Sequence, residues 1–186
     1  MDRIILASAS PRRQQLLEWA EISFDLIPSD AEELVPDGMP VSEIPVFLAS
    51  QKAALVRKRA GPGKIILAAD TIVVLDQEIL GKPVDRKDAI RMLSLLSGRI
   101  HEVITGVSIT NSKKEILFAE STKVCFHELS KVDIEHYVDV YSPYDKAGAY
   151  AIQEWIGVTG IHSIDGDFYN VMGLPVSRVI QELKTL

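Results

Sequence analysis

The longest apolar stretch of the sequence runs from Ile65 to Leu75 and is interrupted only by Asp70 and Thr71. It is far too short to cross a bilayer, which takes about 20 apolar residues in a helix. Its length and composition are instead typical of a central, buried β-strand. Helical and strand patterns alternate along the chain without strict βαβ regularity. The sequence therefore predicts an α/β fold in which helices flank a mixed β-sheet.

Local patterns predict the other elements. The further predicted strands are Ile4–Ala7, Phe24–Ile27 and a hairpin of Val103–Ile109 with Ile116–Phe126. The predicted helices are one capped by Ser10 and opened by Pro11, one from Ser42 to the glycine pair at 61 and 63, Asp85–Leu96, one from Ser130 through Val140, and one opened by Pro175. The residues expected on buried helix faces are Leu16, Leu17, Trp19 and Ala20 in the first helix, and Phe47, Leu48, Ala54 and Leu55 in the second. A turn is predicted at Gln77 and Glu78, and Lys146–Gly166 is a glycine-rich stretch without assigned elements.

Composition limits the classes of function. The 186 residues suffice for one domain, 1–186, built as a single body or as two lobes that share a sheet. The formal net charge of -6 argues against broad wrapping of nucleic acid, although a local basic pocket remains compatible with it. The single cysteine, Cys125, excludes an internal disulfide, and the four histidines lack zinc-ligand spacing. The start of the chain lacks the pattern of a signal peptide, so we expect a cytoplasmic protein that neither enters a membrane nor forms a stable nucleic-acid complex.

The segment Ser8–Arg13 combines two hydroxyls, two guanidinium groups and the start of a predicted helix. A helix N-terminus concentrates positive partial charge, and arginine offers paired donors that suit phosphate oxygens. The segment alone is also compatible with a capped helix that carries two solvated arginines, and that simpler interpretation is slightly favoured by the local pattern.

Asp70 is unusual because it lies within an otherwise apolar strand, where an unpaired buried charge is very costly. Either the strand ends there and the carboxylate emerges into a cleft, or the carboxylate is paired with a cation or a metal ion. Carboxylates at strand ends commonly bind metals or act as bases in α/β enzymes. We therefore favour a functional role over a simple strand-terminal aspartate.

Three further segments are weaker signals. In Gly81–Pro83 the flanking glycine and proline would orient Lys82 towards a ligand, but the local sequence is more typical of a plain turn. In Asp145–Gln153 small residues permit the close approach of a flat ligand and Gln153 offers an amide to a base edge, whereas a packed loop is equally compatible. The segment Asn170–Pro175 is interpreted first as architecture, with Asp167 and Asn170 as supports of a site.

Taken in order, Ser8–Arg13, Ala69–Thr71, Gly81–Pro83, Asp145–Gln153 and Asn170–Pro175 resemble the motifs of the Maf family. The resemblance extends through nearly the whole chain. It implies a two-lobed α/β fold with a bent mixed sheet and a central cleft, related to inosine triphosphatases. It also implies hydrolysis of nucleoside triphosphates to the monophosphate and pyrophosphate with Mg²⁺ or Mn²⁺, and a link to septum formation. A homodimer is compatible with the resemblance and is left open by the sequence.

The same resemblance implies roles for individual residues. Asp70 matches the catalytic carboxylate that accepts a proton, and Glu33 matches a second acid near the metal. The positions that match the phosphate cradle are Ser8, Arg13, Lys52 and Lys82. The positions that match determinants of substrate choice are Arg12, Thr71 and Gln153.

The last three residues resemble the branch of the family that acts on dTTP and UTP rather than the branch linked to 7-methyl-GTP. One departure from the family pattern is the bulky pair Glu154–Trp155, which follows Gln153 where a glycine-rich continuation is usual. This pair is expected either to narrow the base pocket or to alter a dimer contact. Two rival functions remain: a non-catalytic nucleotide-binding regulator of septum formation, and a phosphatase that releases inorganic phosphate.

Overall fold

The computed structural model describes residues 3–31 and 34–186. Its strands are β1 (Ile4–Leu6), β2 (Phe24–Leu26), β3 (Ile66–Leu75), β4 (Glu78–Leu80), β5 (Ile100–Thr110), β6 (Glu115–Phe126) and β7 (Ile161–Asp165). Its α-helices are α1 (Pro11–Trp19), α2 (Ile44–Ala60), α3 (Arg86–Leu96), α4 (Lys131–Tyr141), α5 (Trp155–Gly160), α6 (Phe168–Val171) and α7 (Val176–Leu183). A short 3₁₀ helix spans Ala147–Ala149. Within this described part of the chain, no helix is long and apolar enough to span a membrane.

The strands form one sheet in the order β2-β1-β3-β5-β6-β7, and β4 pairs with β3 outside this path. Strand β1 runs parallel to both β2 and β3, with Ile5 opposite Asp25 on one side and Ile66 on the other. The pairs β3–β4 and β6–β7 are antiparallel. The predicted α/β fold with a mixed sheet and flanking helices is therefore confirmed, and β3 lies inside the sheet as its apolar sequence requires.

The chain divides into two compact units. The first comprises residues 1–71, 105–120 and 173–186, and the second comprises residues 72–104 and 121–172. The strands β3, β5 and β6 each contribute residues to both units.

In the first unit, helix α2 packs its small residues against the sheet. Ala53 and Val56 of α2 form one buried cluster with Ile5, Ala7, Ile66 and Ala68 of the β1 and β3 region. The start of α2 also lies very close to Gly106 in β5: a Cβ added at Gly106 would lie 2.1 Å from the backbone carbon of Pro45 and 2.1 Å from the backbone nitrogen of Val46. Glycine at this position is what permits such a close approach.

In the second unit, local signals set the helix boundaries. The Asp85 side chain accepts a hydrogen bond from the backbone N–H of Asp88 at the start of α3, and Ser130 does the same for Asp133 at the start of α4. Buried Asn170 donates from Nδ2 to the Val103 carbonyl and to Thr122 Oγ1, each at 3.0 Å. The Asp167 side chain accepts from the N–H of Tyr169 at 2.7 Å. These contacts confirm the architectural interpretation of the turn around Asn170.

Two predicted helix faces need correction. Trp19, expected on the buried side of α1, is 58% exposed, while Leu16 and Leu17 are buried as predicted. In α2 the buried face carries Leu48, Ala49, Ala53 and Val56, whereas Ala54 is exposed. The prediction was right for Leu48 and wrong for Ala54, while Phe47 and Leu55 are only half-buried, because a helix this rich in small apolar residues does not mark its inner face clearly.

Two predicted turns or loops contain regular structure. The turn predicted at Gln77 and Glu78 lies one residue earlier, at Asp76 and Gln77, whose positive φ angles of 50° and 69° reverse the chain into a hairpin. Glu78 is already the first residue of β4. The stretch Lys146–Gly166 contains α5 and β7. The sequence pattern did not predict these two elements, because the stretch is rich in glycine, which has a low propensity for both helices and strands.

His101 of β5 is an ionisable group buried within the second unit. It is 2% exposed, stacks on Phe126 and places Nε2 2.7 Å from the Tyr150 hydroxyl. Its Nδ1 has no hydrogen-bond partner among the described residues. Burial lowers the pKa of His101 from 6.5 to about 4, because the charged imidazolium is poorly solvated there.

We therefore expect the free energy of unfolding to fall as the pH drops from 6.5 towards 4. In this window the unfolded chain binds a proton at His101 and the folded chain does not, so the stability present above pH 6.5 is lost. Between pH 7.5 and pH 4.5 the His101 contribution amounts to about 2–3 kcal/mol. Urea unfolding of the wild type and of His101→Gln at both pH values measures it. An equal loss of stability with pH in both proteins would contradict the assignment.

Candidate functional site

Lys52 and Asp70 form a buried ion pair in the first unit. Lys52 Nζ lies 2.5 Å from Asp70 Oδ1, and the two side chains are 14% and 11% exposed. The sequence left open whether β3 ends at Asp70 with the carboxylate in a cleft, or whether the carboxylate is paired with a cation or a metal ion. The structure pairs it with Lys52 of α2, and β3 continues to Leu75. Such a pair is costly to desolvate, which makes it a poor device for stability alone and a good candidate for chemistry.

The packing of α2 explains how Lys52 reaches Asp70. Ala53, the next residue of the helix, is fully buried in the cluster that joins α2 to β1 and β3. Small side chains at this contact allow the helix to approach the strands closely. Lys52 therefore begins near the sheet, and its long side chain brings the ammonium group to the carboxylate of β3.

Arg13 connects three separate parts of the first unit. Its Nη1 donates to Ser8 Oγ at 3.1 Å, its Nη2 donates to Thr71 Oγ1 at 2.9 Å, and its Nε donates to the Gly173 carbonyl at 2.7 Å. The Ser8 hydroxyl also accepts from the Ser10 N–H at 3.2 Å. Helix α1 begins at Pro11 with Ser10 at the N-cap position, as predicted, although the Ser10 side chain makes no capping hydrogen bond. The guanidinium thus fixes the loop before α1 to the middle of β3.

Thr105 of β5 completes this network. Its hydroxyl lies 2.9 Å from the Thr71 hydroxyl, and Thr105 is fully buried. Thr71 Oγ1 also lies 3.4 Å from the Gly173 carbonyl. Sequence reasoning missed Thr105, because one threonine in an apolar strand carries no local signal of a partner. Gly173 was seen only as part of a turn, and its carbonyl is an acceptor for Arg13.

The other predicted site residues are distributed as follows. Arg12 is half-buried at the start of α1 in the first unit. Lys82 and Gln153 belong to the second unit, and both are exposed. Beside Lys82, the Gly81 carbonyl accepts a hydrogen bond from the Gly148 N–H at 3.0 Å. This bond connects the motif Gly81–Pro83 to the motif Asp145–Gln153. The first unit therefore brings together Ser8, Arg13 and Thr71 in one network and Lys52 with Asp70 in an ion pair.

The predicted metal ligands are Asp70 and Glu33. Glu33 lies outside the described residues. Across residues 3–31 and 34–186, no three His, Cys, Asp or Glu side chains gather as a metal site. A single buried carboxylate still fits Mg²⁺, because this ion prefers oxygen ligands and is often held by one or two carboxylates together with substrate phosphates and water.

Three relatives cover nearly all of the chain. The chain is 50% identical over 183 residues to a protein of Cytophaga hutchinsonii, and the alignment covers 98% of this chain and 84% of that relative. It is 48% identical over 186 residues to a protein of Phocaeicola vulgatus, with coverage of 99% and 96%. It is 45% identical over 183 residues to a protein of Parabacteroides distasonis, with coverage of 98% and 95%. All three relatives are named dTTP/UTP pyrophosphatase.

Two solved structures are more distantly similar. One is a nucleoside-triphosphatase (dITP/XTP pyrophosphatase) of Mycobacterium abscessus, with a TM-score of 0.44, 18% identity and coverage of 69% of this chain and 76% of that one. The other is a HAM1 protein of Coxiella burnetii, with a TM-score of 0.46, 18% identity and coverage of 68% and 73%. The family described as Maf-like protein matches residues 3–186. Together with the relatives at 45–50% identity, this match shows that the chain belongs to the Maf-like protein family.

Proposed function

We propose that this protein hydrolyses dTTP and UTP to the monophosphate and pyrophosphate, acting on the cytoplasmic nucleotide pool. The observation that carries the proposal is the buried Lys52–Asp70 ion pair, which places an ammonium group of α2 beside a carboxylate of β3. The printed name of the three relatives, dTTP/UTP pyrophosphatase, supports the reaction and the substrates.

In this proposal Asp70 is the base. Its carboxylate takes a proton from a water molecule as the water oxygen attacks the α-phosphorus. The bond from the α-phosphorus to the bridging oxygen breaks, and that oxygen leaves with pyrophosphate. In this proposal Lys52, which neutralises Asp70 in the free protein, would contact the phosphate chain when substrate binds.

The other cations would hold the remaining negative charge. Lys82, which is exposed, and Arg13 would contact the phosphate chain together with Ser8 at the loop before α1. Arg13 already donates to Ser8, so the two act as one preformed unit. A divalent cation, Mg²⁺ or Mn²⁺, would be held by Asp70 and Glu33 and would supply charge neutralisation of the phosphates.

Substrate choice would depend on Arg12, Thr71 and Gln153. Thr71 supports this role because its hydroxyl is fixed by Arg13 and Thr105 and is therefore held in one position. Gln153 is exposed and carries an amide that can pair with the edge of a pyrimidine. A polar group that is fixed in place discriminates between bases better than a mobile one, because it cannot move to pair with the wrong base and is left without a hydrogen bond.

A substrate panel tests the proposal. Purified protein is incubated with dTTP, UTP, CTP or 7-methyl-GTP and Mg²⁺ or Mn²⁺, and both pyrophosphate and inorganic phosphate are measured. We expect pyrophosphate from dTTP and UTP, with kcat/KM at least about 10-fold higher than for the other two substrates. Removal of the divalent cation by a chelator is expected to abolish release.

The two rival functions give different results in the same panel. Inorganic phosphate as the first product would identify a phosphatase. Tight binding of dTTP without turnover would identify a regulator that uses the site only for recognition. Either result would overturn the proposed hydrolysis to pyrophosphate.

A further inference from the structure

A cluster of polar residues connects helix α4 to the segment that precedes α5. The Tyr137 hydroxyl donates to the Glu154 carboxylate and accepts a hydrogen bond from the Ala151 N–H at 3.1 Å. Lys146 Nζ lies 2.8 Å from Asp145 Oδ1 and 3.5 Å from Glu154 Oε1. Tyr137 is fully buried and Lys146 is 8% exposed, whereas the Asp145 side chain is 63% exposed, so the cluster extends from the interior of the second unit to its surface.

The cluster fixes the segment Lys146–Glu154 at three points. The Lys146–Glu154 contact joins its two ends, and the Tyr137 hydroxyl holds Ala151 near its middle. The backbone next to Gln153 is confined further: a Cβ added at Gly157 would lie 1.8 Å from the Ile152 carbonyl oxygen, so the first turn of α5 packs directly on that residue. Gln153 is thus an exposed side chain on a backbone that is held on both sides.

The pair Glu154–Trp155 acquires a specific role from these contacts. Glu154 bonds to Tyr137 of α4, and the Trp155 ring lies 5.0 Å from the ring of His136, the residue before Tyr137. Both members of the pair therefore attach the Gln153 segment to α4. The Glu154 carboxylate is also partly neutralised by Lys146, which limits its repulsion of a negatively charged substrate.

We propose that Tyr137 and Glu154 are positioning residues for recognition of the pyrimidine base, which act by holding in place the backbone that carries Gln153. The inference rests on the proposed function, in which Gln153 contacts the base. UTP presents an acceptor at O4 and a donor at N3, whereas CTP presents the opposite pattern. An amide on a held backbone reaches the base from fewer positions than an amide on a loose backbone, so we expect the held segment to distinguish the two patterns better.

The test measures kcat/KM for UTP and for CTP in the wild type and in Tyr137→Phe, by pyrophosphate release. The ratio of the two values is independent of the folded fraction of the sample, so a loss of stability alone does not change it. We expect Tyr137→Phe to lower the UTP:CTP ratio at least about 5-fold, mainly through a higher KM for UTP.

Two further variants show whether the effect passes through Gln153. In a Gln153→Ala background, Tyr137→Phe is expected to change the ratio less than about 2-fold, because the group that it positions is gone. Glu154→Gln keeps an acceptor for the Tyr137 hydroxyl and is expected to retain most of the wild-type ratio, whereas Glu154→Ala is expected to lose it.

The outcomes separate this inference from the function on which it rests. The inference is overturned if Gln153→Ala lowers the UTP:CTP ratio and Tyr137→Phe does not. It is also overturned if Tyr137→Phe lowers the ratio equally in the wild-type and Gln153→Ala backgrounds. In both cases the proposed pyrophosphatase function stands. An unchanged ratio in Gln153→Ala removes the role of Gln153 and this inference with it. A wild type that releases no pyrophosphate from any substrate overturns the proposed function itself.

Discussion

Replacement of Asp70 by asparagine is expected to lower the turnover of dTTP at least about 100-fold. The amide keeps the shape of the carboxylate and still accepts a hydrogen bond from Lys52, but it does not take a proton from water. The measurement is the steady-state rate of pyrophosphate release at saturating dTTP. Because Asp70→Asn also removes a buried charge next to Lys52, thermal unfolding of the variant is recorded in parallel.

The matched control is Asp76→Asn. Asp76 lies six residues further along the same hairpin, and its ion pair with Arg99 is on the surface, where such pairs contribute little to stability. Its positive φ of 50° suits asparagine as well as aspartate. Turnover in this control is expected to stay within about 2-fold of wild type. Near wild-type hydrolysis by folded Asp70→Asn would show that the base is another group.

Replacement of Gly106 by alanine is expected to lower the free energy of unfolding by at least about 4 kcal/mol, or to prevent folding. The added methyl group would lie 2.1 Å from two backbone atoms at the start of α2, and a backbone does not yield as the end of a flexible side chain does. The helix would have to withdraw from β5. Urea unfolding monitored by circular dichroism measures the change.

Gly81→Ala is the control for Gly106→Ala. A Cβ at Gly81 meets nothing within 4 Å, and the backbone of Gly81 does not require a positive φ. This variant is expected to unfold within about 1 kcal/mol of wild type. A Gly106→Ala protein of wild-type stability would mean that α2 does not approach β5 as closely as described.

The sequence predicted those parts of the molecule that depend on neighbouring residues. The start of α1 follows from Pro11, and the end of α3 follows from Ser97 and Gly98, because helix starts and turns are short-range chemistry. The buried character of β3 was equally clear, because ten consecutive residues of such composition have few alternatives.

Contacts between residues distant in sequence could not be predicted from local pattern. Lys52 and Asp70 are 18 positions apart, and their pairing depends on the side of the sheet on which α2 packs. Thr105 meets Thr71 across 34 positions, and nothing in its surrounding letters distinguishes it from other strand threonines. The exposure of Trp19 is a similar case, because a large apolar residue in a helix indicates burial only on average.

The way in which the chain is divided between the two units also determines which unit has all of its residues first during synthesis. Residues 72–104 and 121–172 supply the whole second unit, whereas the first unit still needs the segment that begins at Gly173. Arg13 is synthesised 160 residues before Gly173, whose carbonyl receives its Nε–H. The bond between Arg13 and Gly173 therefore forms only after the chain has been synthesised through Gly173, whereas the bonds of Arg13 to Ser8 and Thr71 need only earlier residues.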